Sequence, residues 1–269
     1  MGRKGGNCIM DYLRQLNLLD PRQIGKKSIT LVGCGATGSY VALALAQLGW
    51  GDLTRGQGKL IVFDGDKVED HNLCNQAFEI SQVGKPKVEA LKEIILRKCG
   101  FNIETYNEMV DENTDKKLIQ SNYVFLLTDT MKSRREIFDK FLQYSFKTDL
   151  VIETRMGLLD GRVYAFNPNS LDQKEEWINT LYSDEEAETS RCGASASIIT
   201  TVMYLAAVAS QRVVQHFNRE YGQNEKDEKK VDVFPMWNEV QFSLYPENYY
   251  LRIFGQEPII AQGMQTATV

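Results

Sequence analysis

Histidine is nearly absent from this chain: His71 and His216 are the two in 269 residues. The five cysteines, at 8, 34, 74, 99 and 192, include no C-x-x-C pair. So small and scattered a set supports neither a structural zinc site nor a histidine-based triad. The odd cysteine count argues against a disulfide framework and for a reducing, cytoplasmic setting. Positive charge is not in excess either: 31 Lys and Arg face 36 Asp and Glu, a net charge of −5. That argues against a general nucleic-acid binder, which carries a basic face. No long apolar run is present. The longest, roughly 196–209, is interrupted by Ser197, Thr200 and Thr201, and reads as a buried helix, not a membrane span. No signal peptide is visible. Met1-Gly2-Arg3-Lys4-Gly5-Gly6 begins like a myristoylation site but has no Ser or Thr at position 6. No internal repeat is visible. What remains is an ordinary globular composition, 43% hydrophobic and 25% charged, long enough for one large or two small domains.

The chain is organised around one stretch. Ser28 to Val32 reads as a buried strand, and Gly33-Cys34-Gly35-Ala36-Thr37-Gly38 follows it directly. Val41, Leu43, Ala44, Leu45 and Leu48 then give a helix its apolar face. Gly33, Gly35 and Gly38 fit G-x-G-x-x-G. That spacing lets a backbone approach phosphates closely, in front of a helix N-terminus with free N–H groups. The plain alternative is a tight strand-to-helix turn with no ligand.

A helix pattern about Leu13, Leu16 and Leu19 precedes this unit. After it, Lys59 to Phe63 reads as a second strand ending at Asp64-Gly65-Asp66. A carboxylate there suits the hydroxyls of a nucleotide ribose. Val68 to Phe78 is polar and irregular. A helix over about 86–98 follows, with Pro86 in its first turn. Residues 103–106, 123–127 and 150–154 read as further strands, with a helix about Ile137–Leu142 between the last two. Arg162 to Phe166 is expected to run antiparallel after Asp160-Gly161. Asn167 to Arg191 reads as a long acidic crossing loop with a helical turn, leading to Cys192 and a helix over about 195–217. Residues 219–232 read as a solvated linker, 240–254 as a terminal hairpin, and everything from about 256 as a tail. This alternation predicts a Rossmann-like α/β fold: a largely parallel sheet continuing into antiparallel strands, with a C-terminal helix and hairpin.

The order Gly33-x-Gly35-x-x-Gly38, Asp64-x-Asp66, Asn72-Leu73-x-x-Gln76, Gly84-x-Pro86-Lys87, Thr128-Asp129, Cys192-Gly193 resembles the ThiF-type adenylyltransferase family, whose eukaryotic relatives are the ubiquitin-activating enzymes. The resemblance spans roughly residues 10–217. It implies three segments: a helical arm over 1–25, an adenylation domain over 26–217, and a linker, hairpin and tail over 218–269. It implies an enzyme that binds ATP and magnesium and adenylates the C-terminal carboxylate of a small ubiquitin-like or sulfur-carrier protein ending in glycine, or of a peptide. Pyrophosphate leaves, and thioester formation at Cys192 can follow. Residue by residue, Gly33, Gly35 and Gly38 would line the phosphates, and Asp64, with Asp66, would hold the nucleotide. Asn72 and Gln76 would stand near the phosphates, Lys87 would neutralise them, and Asp129 would bind magnesium. Arg14 resembles an arginine that reaches the partner subunit's ATP, which implies a homodimer. Neither nucleic acid nor membrane is implied as a partner.

Each assignment has a simpler counterpart. Asp64 is also a turn residue, Asp129 a helix cap, Arg14 a surface residue and Cys192 a small packed residue, while Lys85 competes with Lys87, and Arg134, which matches an arginine after the family's aspartate, is equally a salt-bridging helix residue. Three departures from the family pattern stand out: Asn75 where an arginine is common, Thr130 where an asparagine is usual, and no zinc-binding C-x-x-C pairs. The alternatives in other classes are an NAD-dependent oxidoreductase using the same glycine turn, and a non-catalytic ThiF-like partner subunit. A small-molecule carboxylate is a further substrate reading.

Overall fold

The computed structural model describes residues 19–184, 198–221, 236–245 and 247–262. Arg14, Cys192 and the helix pattern before residue 19 lie outside the described residues, as does the linker over 222–235. In chain order, α1 (Pro21–Ile24), β1 (Ile29–Val32), α2 (Ala36–Gln47) and β2 (Leu60–Phe63) form the first unit. Then come α3 (Lys87–Cys99), β3 (Glu104–Tyr106), α4 (Lys116–Ile119), β4 (Tyr123–Leu126), α5 (Met131–Ile137), β5 (Leu150–Met156) and β6 (Asp160–Phe166). The chain continues with α6 (Leu171–Asn179), α7 (Ile199–Tyr221), β7 (Glu239–Leu244), β8 (Glu247–Arg252) and β9 (Ile259–Gln262).

All nine strands form one sheet in the order β3-β2-β1-β4-β5-β6-β7-β8-β9. The first five run parallel, and from β6 onward each strand pairs antiparallel. β1, β2 and β4 are buried along their whole length; β2 and β4 are continuous apolar runs, and in β1 the one polar residue, Thr30, donates its hydroxyl to the Leu118 carbonyl at 2.7 Å. Alternate residues feed two cores. Tyr123 and Phe125 of β4 meet α2, α3 and α7 residues such as Val41, Leu45, Leu91, Leu205 and Val213. Val124 and Leu126 meet Ile137, Phe138, Phe141 and Trp177 on the other face. There Trp177 packs against Phe138 and Phe166 at ring-centroid distances of 4.8 and 4.9 Å.

The α/β expectation holds, with local corrections. Pro86 stands before the first helical residue of α3 as its N-cap, since its missing N–H and fixed φ suit a helix entrance. The crossing stretch after Asn167 holds a nine-residue helix, α6, started by a Ser170 side chain that accepts from the Gln173 N–H. The tail expected from 256 contains β9, which pairs with β8 from Leu251↔Ile259 to Asn248↔Gln262. Its partner is brought there by the turn after Arg252, a through-space condition that periodicity alone does not reveal.

Candidate active site

β1 leads by α2 to β2 on one side of the sheet, and the chain later returns to β4 on the other side of β1. Ligands of open α/β sheets bind at such a reversal, outside the carboxyl ends of the strands. The glycine loop, Asp64 and Asp129 all lie at that edge, after β1, β2 and β4.

The three glycines have three different reasons. Gly33 has φ +99°, a left-handed conformation, and a Cβ there would come within 2.6 Å of the Leu127 carbonyl oxygen. A Cβ at Gly38 would meet the Gly33 carbonyl at 2.2 Å, so α2 packs onto its own entry loop. At Gly35, the N-cap of α2, a Cβ would meet no atom within 4 Å. Among the described residues no atom fills that position, so open space lies beside the helix N-terminus. Gly35→Ala is therefore expected to leave Tm within about 3 °C of the parent. On the phosphate-approach reading of this turn, the same change is also expected to weaken Mg–ATP binding about tenfold, because a methyl group would stand where the phosphates approach. Paired thermal-melt and calorimetric titrations read both.

A continuous chain of polar contacts joins loop, strand end and helix start. The Cys34 N–H donates to Asp64 Oδ2 at 2.7 Å, and the Asp66 N–H donates to Asp64 Oδ1 at 2.9 Å. Lys87 Nζ donates to Asp66 Oδ2 at 2.8 Å, and the Lys87 N–H donates to the Asp66 carbonyl at 2.9 Å. Asp64 and Lys87 are buried. A carboxylate offers about four acceptor sites, so Asp64 keeps capacity for ribose hydroxyls beyond its two amide bonds. Burial pulls the Lys87 amine down, but the hydrogen bond to Asp66 and the charges of Asp64 and Asp66 outweigh it, and its pKa is raised. Burial, with the charge of Asp64, pushes the Cys34 thiol well above its ordinary value, so Cys34 is a packed thiol. Lys85 stands outside this chain, exposed and paired with Glu93 at 2.8 Å.

Asn72 is buried and its Oδ1 accepts from the Glu69 N–H at 2.9 Å, fixing the polar turn over 70–74. Gln76 presents a buried Oε1 that accepts no hydrogen bond among the described residues. The N-cap of α5 is Thr130, whose hydroxyl accepts from the Ser133 N–H at 3.1 Å. The cap being filled by its neighbour, Asp129 is exposed and makes no hydrogen bond or ion pair among the described residues. Its carboxylate is available to a cation.

Three residues that the motifs do not flag hold this edge in place. Glu153 of β5, fully buried, accepts from Arg155 Nε at 3.2 and 3.0 Å, pairs with Arg134 Nη1 at 3.3 Å and accepts from Trp177 Nε1 at 3.3 Å. Arg155 donates onward to the Thr180 carbonyl at 2.6 Å and the Thr180 hydroxyl at 2.8 Å. Asp184 accepts from the Met131 and Lys132 N–H groups at 2.6 and 3.2 Å, tying the crossing segment to the start of α5. The available signal was a glutamate inside an otherwise apolar strand run, Val151-Ile152-Glu153.

A model of the ThiF family matches residues 12–242. Ubiquitin-like modifier-activating enzyme 5 of Caenorhabditis briggsae is 39% identical over 89 residues, 33% of this chain and 19% of that protein. The tRNA threonylcarbamoyladenosine dehydratase of Bacillus subtilis is 28% identical over 141 residues, 48% of each chain. This chain thus spans less than half the length of these curated relatives. Among solved structures, E. coli MccB with ATP superposes with a TM-score of 0.62 at 16% identity, covering 90% of this chain and 68% of that one. Another MccB structure, with MccA-N7isoASN, gives 0.64 at 14% identity. At these identities the likeness is one of fold.

Proposed function

This chain belongs to the ThiF family, and from that premise we propose that it adenylates a carboxylate with ATP. The substrate in this reading is the C-terminus of a small ubiquitin-like or sulfur-carrier protein, or of a peptide. The single observation that carries it is the hydrogen-bonded chain Cys34–Asp64–Asp66–Lys87 beside the open face of Gly35. Support from relatives is of two kinds. One is named as an activating enzyme for a ubiquitin-like modifier, and MccB was crystallised with ATP and with a form of MccA.

The residues fit a magnesium–nucleotide. Among the described residues, Gln76 offers a buried acceptor with no donor, Gly35 a cradle with no atom within 4 Å of a Cβ, and Asp129 a carboxylate with no partner. Asp64 would hold the ribose, the amides about Gly35 and the Lys87 ammonium the phosphates, and Asp129 the cation. Magnesium supplies charge neutralisation and a template for the phosphate oxygens. In the reaction a carboxylate oxygen forms a bond to the α-phosphorus, the bond from that phosphorus to the bridging oxygen breaks, and the electron pair leaves with pyrophosphate. Lys87 opposes the growing negative charge, and the edge built by Glu153, Arg155 and Asp184 keeps Asp129 in place. In the same reading Arg14 acts across a homodimer, and the Cys192 thiolate attacks the acyl carbon of the adenylate, forming a thioester as the bond to the phosphate oxygen breaks and AMP leaves.

The test is a thermal melt with Mg–ATP and, separately, with NAD. Ligand at 100 times its Kd adds about 2.7 kcal/mol, so Mg–ATP should raise Tm by roughly 5–10 °C while NAD leaves it unchanged. A rise with NAD alone sinks the proposal. Pyrophosphate exchange in the presence of glycine-ended carriers then sorts the substrate classes.

A further inference from the structure

Lys87 and Asp66 are unequally placed. The lysine side chain is 10% exposed, whereas the aspartate side chain is 53% exposed. Their contact is doubled, ammonium to carboxylate and N–H to carbonyl, at 2.8 and 2.9 Å. Asp66 is itself fixed, because its own N–H is bound to Asp64, which also holds the Cys34 amide of the glycine loop.

Resting on the adenylation reading, we infer that Asp66 is the positioning residue for Lys87: its half-exposed carboxylate anchors the buried ammonium at the glycine loop, directed at the polyphosphate. The physical reason is a division of labour by solvent. A free lysine carries about 2 kcal/mol of rotamer entropy, and an anchored one has lost it before the nucleotide arrives. One N–H of the ammonium is used by Asp66 and two remain for phosphate oxygens. Water screens the half-exposed Asp66 carboxylate more than it screens the buried ammonium, so Asp66 can hold Lys87 without cancelling its charge towards a phosphate. The groups facing the ammonium are Asp66, Asp64 and the Cys34 thiol. The two carboxylates also keep Lys87 protonated in spite of its burial. Asp66 therefore serves the cation, and its contact with the nucleotide runs through Lys87.

The experiment compares the parent chain with Asp66→Asn, Asp66→Glu and Lys87→Met. Two readouts are used: calorimetric Mg–ATP affinity, and the rate of Lys87 acetylation at pH 9 by mass spectrometry, with Lys85 as internal reference. Asp66→Asn should weaken Mg–ATP about tenfold with unliganded Tm unchanged, and Asp66→Glu should recover part of the loss. Acetylation of Lys87 relative to Lys85 should rise several-fold in Asp66→Asn, because the amine is released and loses its proton more readily. A purely structural role would not move that ratio at constant Tm. Parent-like affinity and labelling in Asp66→Asn overturn the inference, and so does tighter binding, which would make Asp66 a mere competitor of the phosphates. If the parent chain binds no Mg–ATP, the adenylation reading fails, and the labelling ratio still decides whether Asp66 anchors Lys87.

Discussion

Asp129→Ala is expected to lower pyrophosphate exchange about a thousandfold, equivalent to roughly 4 kcal/mol of transition-state stabilisation, while leaving Tm unchanged. The two halves of this expectation have different origins. The loss follows from the proposed adenylation, in which this carboxylate would hold magnesium; without it two negatively charged reactants would approach unshielded. The unchanged stability follows from the structure: Asp129 is exposed and partnerless among the described residues, and Thr130 performs the capping of α5. Had Asp129 been the cap, the substitution would cost about 1 kcal/mol of helix stability, and a melt would show it. Retained exchange in Asp129→Ala, under conditions where the parent chain is active, rules out its place at the metal.

Glu153→Gln carries the largest expected effect on folding. One carboxylate, fully buried, answers two guanidinium groups that are 7% and 6% exposed. Neutralising it leaves two buried cations without a counter-charge, which costs about 3–5 kcal/mol and should lower Tm by roughly 10 °C or more. Trp177 Nε1 and the Arg155 link to Thr180 are disturbed with it, so α6 should loosen along with β5. A Tm within about 2 °C of the parent would mean that solvent reaches this cluster and screens it. The contrast between the two substitutions is diagnostic. Both remove one carboxylate from the same edge of the sheet; one should abolish chemistry with the fold intact, and the other should act through the fold.

The sheet, its switch from parallel to antiparallel pairing and the order of the motifs were legible in the sequence. They depend on local periodicity: apolar runs for β1, β2 and β4, a glycine turn before α2, and Asp160-Gly161 before β6. Element boundaries were less legible. α6 was hidden in a polar stretch because a single buried tryptophan, Trp177, supplies its anchor in place of a full apolar stripe. β9 was hidden because a strand of four residues, Ile259–Gln262, announces itself only through its neighbour.

By itself the sequence determined which chemistries have their groups present: a phosphate-approach loop, carboxylates at two strand ends, a lysine at a helix start, and too little histidine for a triad. It could not choose between residues of the same kind, because that choice is made by burial and by through-space partners. Tertiary structure decided that Lys87 is buried on Asp66 while Lys85 is exposed on Glu93. It decided that Thr130, and not Asp129, fills the helix cap. It decided that Arg134 is held by Glu153, which lies 19 residues away in sequence (153 − 134) and on a different element. A charge in a strand reads the same whether it faces water or two arginines; only packing sets the dielectric around it, and with it what the charge can do.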